Sequence, residues 1–194
     1  MTTTLPLPDV DEASDVSHLL NALGFRVRDP NRCARIYAQL RQIAHAHRAR
    51  WGGDSTVCTT ALVHEAYLKL AQSRLRFETR AHFLATASRA MRQVLVTYAE
   101  ARSAQKRGGG AETLPLDDNL ALTDTEAADI VAIGEALERL SRWDERGARI
   151  VECRFFAGLT VDETAEALDL SPATVSRSWH KVRPWLHNEL HAAA

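Results

Sequence analysis

Residues 159–182, LTVDETAEALDLSPATVSRSWHKV, carry two helix starts in succession, and this pairing limits the fold more than any other part of the chain. Thr160 and Glu163 stand at capping-box spacing: the threonine oxygen can accept an orphan amide while the glutamate reaches back to the cap. Ala165 and Leu168 then share a face, and Asp169-Leu170 makes a short turn. Ser171 is suited to an N-cap and Pro172 to the first helical position, where its missing amide costs nothing. Val175, Trp179, Val182 and Leu186 recur at helical steps as the buried stripe of the second helix. A small residue at 165 lets the two helices approach closely, so the spacing predicts a helix-turn-helix. Pro184 predicts a kink or an early end to the second helix.

That stripe leaves Ser171, Pro172, Ala173, Thr174, Ser176, Arg177, His180 and Lys181 facing outward. Short, hydrogen-bonding and cationic side chains of this kind can enter a major groove and contact base edges and phosphates. The net charge of −1 conceals a pattern along the chain. Residues 74–107 hold eight Lys or Arg against two acids; residues 108–145 hold ten acids against Arg139 and Arg142; beyond Ser171 the chain turns basic again. Two polyanion-binding surfaces joined by an acidic connector are expected.

Helical spacing dominates elsewhere. Helices are predicted over 15–23, 30–50, 59–72 and 81–103, the last with Phe83, Ala87, Met91, Val94 and Tyr98 on one face. Three glycines at 108–110 and the weakly periodic AETLPLDDNLALTDTE read as a linker. The second half restarts with Ile130, Ile133, Leu137 and Leu140, continues through a helix at 144–156, and stops at Gly158, where glycine tolerates a left-handed cap. The expected fold is all-α: a mobile segment at 1–14, a helical domain at 15–107, a flexible linker at 108–126 and a second helical domain at 127–194.

Several classes are excluded by what these residues lack. No apolar run approaches membrane-spanning length, and the N-terminus lacks the basic stretch and apolar core of a secretory signal. Cys33, Cys58 and Cys153 form no C-x-x-C pair, which fits a reducing cytoplasm, and His45-x-His47 has no acidic or thiol partner nearby. No nucleophile–base arrangement or phosphate loop is legible, so an enzyme, a metal and a cofactor are not expected.

Two stretches carry a family resemblance. ALERLSRWDERGARIVECRFFAGLTVDETAEALDLSPATVSRSWHKVRPWLHNEL resembles the C-terminal promoter-binding domain of bacterial RNA polymerase sigma factors of the extracytoplasmic-function (ECF) type, within the sigma-70 class. TTALVHEAYLKL, followed by RFETRAHFLATASRAMRQVLVTYAEARSAQKRGGG, resembles the N-terminal domain of the same family. The resemblance implies that the first domain binds the clamp helices of core RNA polymerase through Thr59, Thr60, Glu65 and Lys69. It implies a minus-ten surface in which Phe77, Arg80 and His82 capture an unstacked base and Arg89, Arg92, Arg102, Lys106 and Arg107 hold the DNA backbone. The helix-turn-helix would read the minus-thirty-five element, and an anti-sigma factor is a further partner of such proteins.

One turn departs from the family. Cys58-Thr59-Thr60-Ala61 stands where common members carry acidic residues facing the positively charged clamp, leaving Glu65 as the acid of that helix. Phosphorylation of a threonine there adds about −1.5 to −2 charge at a helix N-terminus, where the dipole favours it. The resemblance therefore extends to a Ser/Thr protein kinase as partner, with Thr59 and Thr60 as leading acceptors and Ser55 and Thr56 behind them. The bland reading is that Thr59 caps the helix. The rival to a sigma factor is a stand-alone helix-turn-helix regulator of duplex operator DNA, with residues 1–107 as a sensor or dimerisation domain.

Overall fold

The computed structural model describes residues 30–49, 56–72, 77–106 and 122–192. They form α1 (Pro30–Ala49), α2 (Thr56–Gln72), α3 (Arg80–Lys106), α4 (Asp124–Trp143), α5 (Glu145–Val151), a π-helical turn (Glu152–Phe156), α6 (Val161–Leu168) and α7 (Pro172–Ala192). No strand occurs among the described residues. The helix expected at 15–23 lies outside them.

Helix α3 is the spine. The face read from its periodicity is the buried one: Phe83, Ala87, Met91, Val94 and Tyr98 are all within the core. Helices α1, α2, α4 and α6 and the π turn all pack against α3, and α1 also meets the π turn. In consequence the two halves do not keep separate cores. One apolar cluster runs from Ile36 and Leu62 through Met91 and Leu95 to Ile130, Phe156 and Val182. A second, small cluster of Ile150, Ala165 and Val175 holds the helix-turn-helix itself.

Three helix boundaries differ from expectation, each for a local reason. Helix α4 begins at Asp124, inside the stretch read as linker, because Thr123 caps it and Glu126 completes a capping box. Leu122, just before, is already buried. Helix α2 begins at Thr56, so Thr59 lies a turn inside the helix and is not its cap. Helix α7 runs through Pro184 to Ala192 without ending early. Leu186 in the core and the Arg139–Glu189 ion pair at 2.6 Å hold the segment beyond the proline.

The segment read as one helix over 144–156 is two. After Val151 the backbone widens by one residue per turn, with the Ala157 amide donating to the Glu152 carbonyl at 3.0 Å. Gly158 (φ +67°) then stops the helix as expected, and the Leu159 amide donates back to Cys153.

Candidate nucleic-acid interface

The helix-turn-helix is assembled by its caps. Thr160 Oγ1 accepts the Glu163 amide at 3.2 Å, and Glu163 Oε2 accepts the Thr160 amide at 2.9 Å. Helix α6 ends at Asp169, which takes the left-handed conformation at φ 53°, one that Asp tolerates better than most residues. The Asp169 and Leu170 amides both turn back to the Ala165 carbonyl. Ser171 Oγ then accepts the Thr174 amide at 3.2 Å and starts α7. Val175 packs on Ala165 and Ile150, so a small residue at 165 does set the crossing.

On the outer face of α7, Ser171, Pro172, Ala173, Arg177, His180 and Lys181 are exposed, and Thr174 and Ser176 are half-buried. Thr174 is tied to Ser171 through both hydroxyls at 2.8 Å. Lys181 extends to Asp144 at 3.3 Å and lies 5.2 Å from the centre of the Trp143 ring. Asp144 in turn caps α5 by accepting the Gly147 amide at 2.8 Å. Trp179 is half-buried, with the Arg154 guanidinium over its ring at 5.7 Å.

The residues expected at the minus-ten surface divide. Phe77 is 8% exposed and edge-on to Phe83 at 5.1 Å, so its ring packs in the core of the free chain. His82 packs against the Phe77 ring at 5.6 Å and keeps part of its surface outside. Four arginines reach acids of the second half. Arg80 donates to Gln39 at 2.9 Å and to Glu163 at 3.4 Å. Arg92 donates to Glu152 at 2.6 Å, Arg89 stands 3.7 Å from the same carboxylate, and Arg102 donates to Asp124 at 3.0 Å. Lys106 closes α3 and Arg107 lies outside the described residues.

Glu163 thus serves two neighbours. The Thr160 amide first, then the Thr160 hydroxyl and the Arg80 charge, hold its carboxyl below the usual range against partial burial. None of these acid partners is legible from spacing; the capping-box pattern points to Glu163 as a partner of Thr160, not of Arg80.

At the expected polymerase face, Glu65 is half-buried and Lys69 exposed. Thr60 is half-buried, whereas Thr59 is 3% exposed. The Thr59 side chain thus lies inside the fold of the free chain. The first turn of α2 does contain no acid. Ser55 lies outside the described residues, as does the side chain of Thr56.

Among the described residues no helix is long and apolar enough to cross a membrane. Comparison with curated proteins and with solved structures finds no match. A family model described as ECF sigma factor matches residues 14–192. With its all-α fold, its capped helix-turn-helix and that match over nearly its whole length, the chain belongs to the ECF sigma factor family.

Proposed function

We propose that this sigma factor directs core RNA polymerase to promoters through three surfaces of its own. Helix α2 meets the polymerase clamp with Thr60, Glu65 and Lys69. The α3 arginines hold the minus-ten DNA, and the outer face of α7 reads the minus-thirty-five element. The observation that carries this reading is the amphipathic α7, with Val175 and Val182 fully buried and Arg177 and His180 exposed in the turns that follow its N-terminus. Such a terminus accepts phosphate, and the side chains beyond it reach base edges.

Run-off transcription with purified core polymerase on a cognate promoter tests it. Transcript is expected only when both proteins are present, and Arg177→Ala is expected to weaken promoter recognition by about 1–3 kcal/mol. Tight, specific duplex binding by the chain alone, with no stimulation of polymerase, selects the stand-alone regulator instead.

Gating by phosphorylation is the finer part of the reading, and it now centres on Thr60. The acid-free first turn of α2 supports it, and the burial of Thr59 narrows the acceptors. Treatment with a Ser/Thr kinase followed by mass spectrometry and core-binding assays tests it. Phosphate at Thr60 that strengthens core binding supports the gate; full activity of the unmodified chain removes it.

A further inference from the structure

We propose that Asp144, at the corner between α4 and α5, withholds Lys181 from the DNA backbone, so that α7 grips the minus-thirty-five element with one phosphate contact fewer than its outer face offers. Lys181 then belongs to an internal clasp, and Asp144 is a positioning residue that sets promoter affinity without touching DNA. This rests on the reading that the outer face of α7 meets promoter DNA.

The clasp joins two separate parts of the second half. Trp143 closes α4 and Asp144 caps α5, whereas Lys181 lies within α7. Lys181 Nζ stands 3.3 Å from Asp144 Oδ2 and 5.2 Å from the centre of the Trp143 ring, so one ammonium is shared by a carboxylate and an indole. Neither partner is free to follow it outward. Asp144 Oδ1 accepts the Gly147 amide at 2.8 Å, and the Asp144 side chain is only 18% exposed. The Trp143 ring packs edge-on to Trp185, one helical turn beyond Lys181, with ring centres 6.3 Å apart. Trp143 itself remains exposed, so the clasp sits at the rim of the outer face and not in the core.

Arg177 differs. It is exposed and makes no ion pair among the described residues, so its charge meets DNA undivided. Lys181 is 65% exposed at the side chain, yet it must leave both Asp144 and Trp143 before it can do the same. Salt weakens an open ion pair, but here the acid is mostly covered and the indole adds its own attraction. A phosphate drawn toward Lys181 also meets the Asp144 charge beside it. The contact withheld carries no sequence information, because phosphates are alike along a duplex.

Asn and Ser cap helices about as well as Asp, so Asp144→Asn and Asp144→Ser keep the α5 cap while releasing Lys181. Holoenzyme reconstituted from core polymerase and the full chain is titrated over a salt series with two labelled duplexes. One is selected by the wild type from a library randomised across the minus-thirty-five region; the other is the unselected library. Both variants are expected to bind both duplexes about fivefold tighter, with a log–log salt slope steeper by about one. Adding Lys181→Met to either is expected to remove the gain and the extra slope. Unchanged binding in both single variants overturns the proposal. So does a gain that survives Lys181→Met, since the carboxylate then repels DNA by itself. A gain confined to the selected duplex overturns it as well, for Lys181 would then be reading a base. Arg177→Ala tests the underlying reading in separate samples: undiminished binding of the selected duplex there overturns the placement of α7 on DNA, whatever the Asp144 variants do.

Discussion

Gly147 shows how little room single positions leave in the second half. A Cβ at that residue would stand 2.7 Å from Val182 and 2.8 Å from the Asp144 carboxylate that caps α5. Gly147→Ala must therefore displace either a fully buried valine or the cap, and is expected to cost about 1–3 kcal/mol, read as a lowered denaturant midpoint. Cys153 makes the opposite kind of case. Burial first, then the Glu152 charge, push its thiol up to about 12, against the lowering effect of Arg149. The native chain is expected to resist alkylation at Cys153 at pH 8 and to react once unfolded, with mass spectrometry as the readout. Neither constraint is visible in the sequence, where Gly147 is one glycine among nine. Both arise from what long-range packing brings alongside.

Elements were legible in proportion to how local their causes are. The α6–α7 pair follows from caps written within four residues, Thr160 with Glu163 and Ser171 with Thr174, and it formed as read. The same signal at Thr123 with Glu126 was available but lay under a polar stretch that resembles a linker. The π turn had no local signal, because its wider turn sets Glu152 and Phe156 against partners on α3 and α1. Thr160→Ala is expected to cost about 1 kcal/mol of stability as one cap is lost. Glu163 adds a pH dependence of definite sign. Its folded carboxyl lies below its ordinary value of 4.5, so its stabilisation is complete above that value and is lost as pH falls through the folded one. The melting-temperature difference between the wild type and Glu163→Gln is expected to hold steady near neutrality and to shrink in acid. An unchanged difference at low pH counts against the ionised cap.

For the whole molecule, the charge pattern along the chain was legible but the ion pairing within it was not. Basic residues at 74–107 and acids at 108–145 read as two binding surfaces and a connector. In the folded chain Asp124 pairs with Arg102, and Glu152, just past the acidic stretch, binds Arg92 and Arg89. Spacing could not report this, since Arg92 and Glu152 are brought together across a gap of 60 residues. Val96 on α3 meets the backbone of Gly134 on α4 so closely that a Cβ there would lie 3.1 Å from its Cγ2. Gly134→Ala favours the α4 helix by about 1 kcal/mol through backbone entropy, yet its new methyl presses on Val96 where the halves meet. Calorimetry decides between the two: a raised melting temperature means that Val96 rotates aside, and a lowered one that the packed seam resists the methyl. Glycine and alanine codons differ at a single base, so the fit between the two halves at this seam lies one nucleotide change from being altered.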